Sequence, residues 1–548
     1  MNGSRLLPFF QRPSLISIVR FPNEECFDSS NQTGTCYTPL ECKKLGGVPS
    51  SPCARGLGAC CIVSRSCHNT TYNKVVYFKN PSYPLSDTQA NFCDLTVNIY
   101  DTDVCQLRLD FMDFQLDQPT QGNCLGDKFR ISSSGFAPLS VPVICGLNRN
   151  QHMYISLPRD LPERSASVVF ETNSVGDYRW HVRITQIDCN FRNKKNLLSD
   201  RNSRQFGFGS GLGSNTPYIP FLPRAHPPYS LPAPMGCLQY FTQPSGTIES
   251  FNFGEYLNNM DYGICIERLP NTCRVTFTAS DFVWSMDSSQ PNKERSGVGD
   301  NVCDNDYLLI PAASQRGDAP TFDRYCGGRL HYQSDMLNDA PVVTKANGPI
   351  VLRFHSDPFQ LAADYKDGFR LRYEQNSRQF GFGSGLGSNT PYIPFLPRAH
   401  PPYSLPAPMG CLQYFTQTSG TIESFNFGEY LNNMDYGICI ERQPNTCRVT
   451  FTASDFVWSM DSTQPNKERS GVGDNVCDND YLLIPAASQR GDAPTYDRYC
   501  GGRLHYQSDM LNDAPVVTKA NGPIVLRFHS DPFQLAADYK DGFRLRYE

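Results

Sequence analysis

The stretch CQLRLDFMDFQL at Cys105–Leu116 carries the pattern that decides the fold. Three apolar side chains alternate there with polar ones and share one face, namely Leu107, Leu109 and Phe111. A period of two is typical of a β-strand with one buried face. VLRFHS at Val351–Ser356 and FRLRYE at Phe369–Glu374 repeat the pattern, and no long segment shows a sustained helical period. We therefore predict an all-β protein of short antiparallel strands arranged in β-sandwiches.

The composition narrows the class of protein. The chain has 548 residues, which is enough for several domains of about 150 residues each. Its 49 Lys and Arg against 54 Asp and Glu give a net charge of −5, which excludes a strongly basic nucleic-acid-binding surface. No stretch approaches the roughly 20 apolar residues of a transmembrane helix. Its 22 cysteines favour an oxidising, extracellular compartment, so we expect a secreted protein with no nucleic-acid partner.

The N-terminus does not supply the expected export signal. Residues 1–21 read MNGSRLLPFFQRPSLISIVRF, and Arg12 and Pro13 interrupt the continuous apolar core that a signal peptide needs. An unrecognised export route is one explanation, and a true start upstream of Met1 is the other. We favour the truncated start and treat residues 1–24 as an N-terminal segment.

The second half of the chain is an internal repeat. Asn202–Glu374 and Asn376–Glu548 are each 173 residues long and match at 169 positions. The four differences are Pro244/Thr418, Leu269/Gln443, Ser289/Thr463 and Phe322/Tyr496. Two explanations stay open, a recent gene duplication and a stretch duplicated when the genome was assembled. If the duplication is real, two equal binding sites joined by about 36 residues of flexible coil would lie about 33 Å apart and would suit a multivalent ligand.

Six cysteines lie within residues 26–61 and end in a Cys-Cys pair. A segment this short needs covalent staples to fold, which favours three disulfides. Zinc is the alternative, but the spacing lacks the paired knuckles of a zinc site. The spacing resembles the clip module of arthropod extracellular proteins. That resemblance implies the pairs Cys26–Cys60, Cys36–Cys53 and Cys42–Cys61.

Two further sets of motifs resemble the CUB domain. In the first module they are Cys67, FKNPSYP at Phe78–Pro84, Cys93, the strand quoted above, and Cys124 with Cys145. In each repeat they are a C-x-x-D-Y-L element, a Cys-Gly-Gly, an F-x-S-D element and a G-F-R-L-R-Y strand, which begin in the second module at Cys303, Cys326, Phe354 and Gly368. The resemblance implies tandem CUB-like antiparallel β-sandwiches behind a small disulfide-rich module.

These features together predict the domain organisation. We expect a clip-like module at 25–63, CUB-like modules at 66–189, 236–374 and 410–548, and Gly/Pro-rich linkers at 190–235 and 375–409.

The CUB resemblance also implies one disulfide in each module, namely Cys124–Cys145, Cys303–Cys326 and Cys477–Cys500. A further bridge would be Cys67–Cys93, Cys237–Cys265 and Cys411–Cys439, although Cys265 could instead pair with Cys273. Four cysteines then remain, which are Cys105, Cys189, Cys273 and Cys447. A Cys105–Cys189 pair would require two strands distant in sequence to lie side by side.

Calcium is the only cofactor that the residues suggest. CUB domains of the calcium-binding type use a Glu, the Asp of C-x-x-D and the Asp of the late S-D motif, and such hard oxygen ligands suit this ion. The matching residues are Asp306 and Asp357 in the second module and Asp480 and Asp531 in the third. Val298 and Val472 stand where the Glu belongs, and Asp300 or Glu294 are the substitutes in that loop. The alternative role for these aspartates is to bond backbone amides in turns. Asp127 alone matches in the first module.

No pattern points to catalysis. Clip modules often precede trypsin-like proteases, but the chain lacks a G-x-S-x-G element and a Ser/His/Asp set, and the four modules leave no room for a catalytic domain. We expect a non-enzyme. The N-x-S/T motifs at Asn31 and Asn69 predict glycosylation.

We therefore expect a secreted recognition or adhesion protein that binds an extracellular protein or glycan through its CUB-like modules. The alternatives are a non-catalytic regulator of a protease cascade acting through the clip-like module, and a structural component of matrix or cuticle. These functions are what the CUB and clip resemblances imply.

Overall fold

The computed structural model describes most of the chain from Phe21 to Glu548. The residues it leaves out are 1–20, 22, 135–140, 158–163, 174–175, 190–231, 270–271, 284–294, 317–319, 347–348, 359–367, 378–410, 426, 428–429, 431–433, 443–445, 458–468, 493 and 532–541. Of the described residues, 53% lie in strands and 2% in helices. The predicted all-β class is confirmed, with three β-sandwiches behind a small disulfide-rich segment.

The N-terminal segment is continuous with the first sandwich. Its elements are β1 (Glu25–Phe27), β2 (Thr33–Tyr37), α1 (Pro39–Lys44), β3 (Gly47–Cys53), a 3-10 turn (Ala54–Gly56) and β4 (Gly58–Arg65). Helix α1 begins where the Thr38 side chain accepts a hydrogen bond from the Glu41 amide, with Pro39 in its first turn. Strand β4 pairs in parallel with β6 (Val75–Lys79). The disulfide-rich segment therefore shares a sheet with the sandwich that follows it.

Sandwich 1 consists of two layers. Its strands are β5 (Asn69–Thr71), β6 (Val75–Lys79), β7 (Asn91–Asn98), β8 (Val104–Gln115), β9 (Lys128–Ser134), β10 (His152–Ser156), β11 (Ser165–Thr172) and β12 (Arg179–Asp188). One layer has the order β1-β2-β4-β6-β12-β8-β10, and the other has the order β5-β7-β11-β9. The alternation predicted for this segment is confirmed, because Leu107, Leu109 and Phe111 of β8 are fully buried between the layers.

Sandwich 2 and sandwich 3 share one topology. Sandwich 2 contains β13 (Cys237–Phe241), β14 (Ser245–Glu249), β15 (Asp261–Ile266), β16 (Thr272–Val283), β17 (Ser296–Val298), β18 (Tyr307–Ser314), β19 (Phe322–Gly327), β20 (Val342–Thr344), β21 (Ile350–His355) and β22 (Gly368–Ser377). Sandwich 3 contains β23 (Cys411–Phe415), β24 (Gly420–Glu423), β25 (Asp435–Ile440), β26 (Val449–Val457), β27 (Ser470–Val472), β28 (Tyr481–Ser488), β29 (Tyr496–Gly501), β30 (Val516–Thr518), β31 (Ile524–His529) and β32 (Gly542–Tyr547). The predicted strands near residues 351 and 369 are β21 and β22.

One strand, β18, connects the two layers of sandwich 2, which have the orders β13-β15-β21-β18 and β18-β20-β16-β22-β14. The first half of β18 pairs with β21, and its last residues pair with β20. Between these halves Ala312 has a φ of 43°, and Pro311 lacks an amide hydrogen to donate. Such irregularities are how a strand passes from one sheet to another at the corner of a sandwich. Ala486 gives β28 the same bend.

Ten disulfides lie within the segments just described. The structure pairs Cys26–Cys60, Cys36–Cys53, Cys42–Cys61, Cys67–Cys93, Cys105–Cys189, Cys124–Cys145, Cys237–Cys265, Cys303–Cys326, Cys411–Cys439 and Cys477–Cys500. Cys105 reaches Cys189 because the ends of β8 and β12 are adjacent, with Val104 opposite Asp188. The structure places Cys273 and Cys447 outside these ten bridges.

The sandwiches contact one another directly. Gln106 of β8 exchanges two hydrogen bonds of 2.9 Å with the backbone of Ala233, so this residue of the polar face of β8 is covered by the residues that lead into sandwich 2. Sandwich 2 contacts sandwich 3 through buried ion pairs such as Arg324–Asp497. The two repeats are therefore in direct contact, whereas a free coil between them would set a distance of about 33 Å. No local pattern in the sequence indicates this contact.

Candidate ligand-binding loops

The aspartates of the C-x-x-D motifs tie together two loops at one end of each sandwich. In sandwich 2 Asp306 is almost completely buried. Its Oδ1 accepts a hydrogen bond of 2.7 Å from the Asp357 amide, and its Oδ2 accepts one of 2.5 Å from the Tyr256 hydroxyl. The two aspartates predicted from the sequence are thus neighbours, and Asp306 fixes the backbone that carries Asp357.

Sandwich 3 repeats this arrangement. Asp480 accepts a 2.7 Å hydrogen bond from the Asp531 amide, and its other oxygen accepts a hydrogen bond from the Tyr430 hydroxyl. The serine before the late aspartate adds support in both copies. Ser530 Oγ accepts a hydrogen bond from the Met434 amide, as Ser356 Oγ accepts one from the Met260 amide.

Sandwich 1 keeps the buried aspartate but changes its partner. Asp127 accepts hydrogen bonds from the backbone amides of Asp117 and Asn173, at 3.3 and 3.0 Å. Asn173 stands where sandwich 2 and sandwich 3 have the aspartate of the S-D motif. In all three sandwiches the aspartate of the C-x-x-D motif therefore accepts a hydrogen bond from a backbone amide of the loop at the S-D position.

The tyrosines at this site were not singled out from the sequence. Tyr256 and Tyr430 each lie 50 residues before the aspartate that they contact. Both belong to a GEYL stretch with no period or spacing that marks it as part of a site. Only the folded loops bring the hydroxyl to the carboxylate.

Histidines border the same loops. His355 ends β21 one residue before Ser356 and packs against the Tyr307 ring at a centroid distance of 5.0 Å. Burial lowers the pKa of His355 to about 4, and burial does the same to His529 in sandwich 3. These imidazoles are therefore neutral at physiological pH.

The fit to calcium is partial. Calcium prefers about six to eight oxygen ligands. Each site offers two carboxylates, Val298 and Val472 stand in the place of the third, and Asp300 lies at the contact with sandwich 3. Glu294 lies outside the described residues. Within the described ranges no group of three or more His, Cys, Asp or Glu side chains is placed to hold a metal ion.

The two predicted glycosylation sites are exposed. Asn31 occupies a turn of the N-terminal segment with a φ of 62°. Asn69 begins β5, and its side-chain amide donates to the Cys67 carbonyl at 2.9 Å. Both side chains are at the surface, where a glycan could be attached without disturbing the core.

Comparison with solved structures finds matches of low sequence identity. The CUB1-EGF-CUB2 domains of rat MASP-1 share 17% identity over 56% of this chain and all of that chain, with a TM-score of 0.18. The MASP-1 CUB2 domain bound to Ca²⁺ shares 18% identity over 22% of this chain and 98% of that chain, with a TM-score of 0.17. The extracellular region of zebrafish Gpr126/Adgrg6 shares 10% identity over 86% of this chain and 54% of that chain, with a TM-score of 0.19. No curated protein matches the chain.

The family comparison agrees with the motifs of the second and third modules. CUB domains generally mediate protein binding and are typically non-catalytic, and they and numerous disulfides are typical of extracellular proteins. Among the helices of the described residues, none has the length and apolarity to span a membrane. The sequence model of the animal CUB domain matches residues 234–376 and 408–548, more than half of the chain, and the protein therefore belongs to the animal CUB domain family.

Proposed function

We propose that this chain is a secreted, non-enzymatic recognition or adhesion protein that binds an extracellular protein or glycan through its tandem CUB modules. One observation carries the proposal. Sandwich 2 and sandwich 3 present nearly identical sequences, and the buried Arg324–Asp497 pair holds them against each other. Two equal sites in a fixed arrangement suit a ligand with repeated epitopes, because the second binding event is then intramolecular.

The N-terminal segment favours a second candidate function. We infer from its cysteine spacing that it is a clip-like module of the arthropod type. Several of its apolar side chains are exposed, namely Phe27, Leu40, Val48 and Leu57. Exposed apolar side chains on a small module are candidates for contacts with a protein partner. Docking of a protease on this segment would make the chain a non-catalytic regulator of a protease cascade.

An affinity capture from extracellular fluid distinguishes the two functions. Deleting the N-terminal segment is a poor choice because β4 pairs with β6 of sandwich 1. We would instead compare the intact chain with the surface variant Leu40→Ser/Val48→Ser/Leu57→Ser and with the loop variant Asp357→Ala/Asp531→Ala. We expect the partners to survive the surface changes and to be lost with the loop changes. Partners lost only from the surface variant would support the protease-regulator function instead.

We also propose weak calcium binding at the paired aspartates of sandwich 2 and sandwich 3. Asp306 and Asp357 would supply carboxylate oxygens from adjacent loops, as would Asp480 and Asp531, because each buried aspartate bonds the backbone amide of the later one. With two carboxylates per site we expect dissociation constants on the order of 10⁻⁴–10⁻³ M, the range of weak extracellular sites.

Titration calorimetry of the intact chain tests the calcium prediction. Asp357→Ala/Asp531→Ala should abolish the heat of calcium binding, because each site then keeps a single carboxylate. The exposed aspartates at Asp335 and Asp509 provide the control, and Asp335→Asn/Asp509→Asn should leave the heat unchanged. If the unmodified chain gave no heat with calcium, the aspartates would have only their backbone-bonding role.

A further inference from the structure

The contact between sandwich 2 and sandwich 3 is built from two matching ion pairs. Arg324 Nε donates to Asp497 at 2.7 Å, and Arg498 Nε donates to Asp323 at 2.7 Å. These four side chains are at most 1% exposed. We call the surface formed by Thr321, Asp323 and Arg324 in sandwich 2, and by Thr495, Asp497 and Arg498 in sandwich 3, the docking face.

Each arginine makes further bonds across the contact. Arg324 Nη2 donates to the Thr495 carbonyl at 3.1 Å and to its hydroxyl at 3.0 Å. Arg498 Nη2 donates to the same two atoms of Thr321, at 3.0 and 3.1 Å. Buried guanidinium groups are tolerated only when their donors are paired, and here most of the pairing is supplied by the other sandwich. The contact is therefore specific to this partner surface.

The surroundings of the docking face have the same symmetry. The Asp300 carboxylate approaches Asp474, and the Asp474 carboxylate approaches Gly299. A cavity between the sandwiches is lined by corresponding residues from each side, including Leu309 with Leu483 and Pro311 with Pro485. A contact in which residue i meets residue j, and j meets i, is the isologous kind that joins identical subunits in two-fold dimers.

The sequence makes the two halves of this contact interchangeable. Every member of the docking face in sandwich 2 has its identical counterpart 174 positions later in sandwich 3. Of the four differences between the repeats, Phe322/Tyr496 borders the face, and it changes a single hydroxyl. A surface that fits its near-identical copy must also fit itself.

We propose that the docking face is a self-association surface, so that sandwich 3 of one chain can dock on sandwich 3 of a second copy with the contacts it now makes to sandwich 2. This inference goes beyond the proposed function, because it concerns binding between copies of the chain and not a foreign ligand. Within one chain the covalent connection raises the effective concentration of the partner to the order of mM, which favours the internal contact. Release from that connection exposes a face whose partner is another copy.

The test cuts the folded chain between the two sandwiches. A protease recognition sequence inserted in the GFGSGLGS stretch at 381–388 lets the intact protein be folded first and cleaved afterwards. The ten disulfides lie on one side of this site or the other, and none of them joins the resulting fragments. Native mass spectrometry after incubation, at about 1–100 µM protein, then counts the species. We expect homodimers of the C-terminal fragment in addition to the heterodimer. If all affinities are equal, the mixture should approach about one homodimer of each fragment for every two heterodimers.

The variants separate this idea from non-specific association. Arg324→Met/Arg498→Met should remove homodimers and heterodimers together. The matched control is Arg295→Met/Arg469→Met, because these arginines are 44% exposed and occupy equivalent places in the two sandwiches. It should leave all three dimers in place. The proposal would be overturned by heterodimers without C-terminal homodimers. Fragments that stay monomeric over the whole concentration range would overturn it as well. Because the homodimer is measured with unmodified docking faces, the outcome stands even if the arginine variant does not fold.

Discussion

Replacing Arg324 with methionine is expected to weaken the contact between sandwich 2 and sandwich 3 by about 3–5 kcal/mol. The substitution removes three bonds to sandwich 3 and leaves the Asp497 carboxylate buried without its cation. Asp497 would keep one hydrogen bond, from the Ala486 amide at 2.6 Å. The penalty comes mainly from that stranded charge, because a carboxylate in a dry interface has lost its hydration.

The cleavable chain described above provides the measurement. The dissociation constant between the two fragments should rise by about two to three and a half orders of magnitude. Combining Arg324→Met with Asp497→Asn removes the stranded charge, and we expect it to recover at least about 1 kcal/mol of the loss. Arg295→Met should change the affinity by less than about 0.5 kcal/mol, since Arg295 and its partner are exposed. An affinity that Arg324→Met left unchanged would show that the buried pairs do not hold the sandwiches together.

Acidification from pH 7.5 to pH 5 is expected to destabilise each sandwich by about 2 kcal/mol for every buried histidine. Burial lowers the pKa of His152, His181, His355 and His529 to about 4. In the unfolded chain a histidine titrates near 6.5, so between pH 6.5 and 4 the unfolded state binds the proton and the folded state does not. Stability is therefore full above pH 6.5 and falls as the pH drops through this window.

Urea denaturation at the two pH values measures the effect. Unfolding is monitored with a separate signal from each sandwich, because a protein of several domains need not unfold in one step. His355→Phe/His529→Phe is the matched variant, since each histidine packs on a tyrosine ring and its Nδ1 has no hydrogen-bond partner. The variant should lose most of the pH dependence of sandwich 2 and sandwich 3 but keep that of sandwich 1. An equal loss of stability in the variant and the unmodified chain would contradict the assignment to these histidines.

Two carboxyl groups beside the docking face, those of Asp300 and Asp474, should respond to acid in the opposite direction. Burial raises the pKa of Asp300 and Asp474. A carboxyl group with a raised pKa in the assembled state stabilises that state when it is protonated, so this contribution grows as the pH falls and is lost as the pH rises through the raised pKa. The contact between the sandwiches is therefore expected to survive conditions that weaken their cores.

The candidate loops contain some features that the sequence predicts and others that only the folded chain shows. The C-x-x-D and S-D motifs identified Asp306 and Asp357 because both are local patterns. The same patterns do not show that Asp306 is buried and bonded to Tyr256, since that contact joins residues 50 positions apart. Asp300 illustrates the limit more clearly. Its position in the loop made it a substitute calcium ligand, whereas the fold places it against sandwich 3.

The sequence alone determined the all-β class, the repeat and the cysteine-rich character of this protein. These follow from short-range features, because alternation reports which face of a strand is buried and cysteine content reports the compartment. The tertiary structure alone decided that Gln106 on the polar face of β8 is covered, and that Asp323 and Arg324 lie in a buried contact. Polar and charged side chains in a sequence indicate exposed positions, since burying them costs free energy unless partners are present. The partners here come from residues more than 100 positions away, and only the folded chain brings them into place.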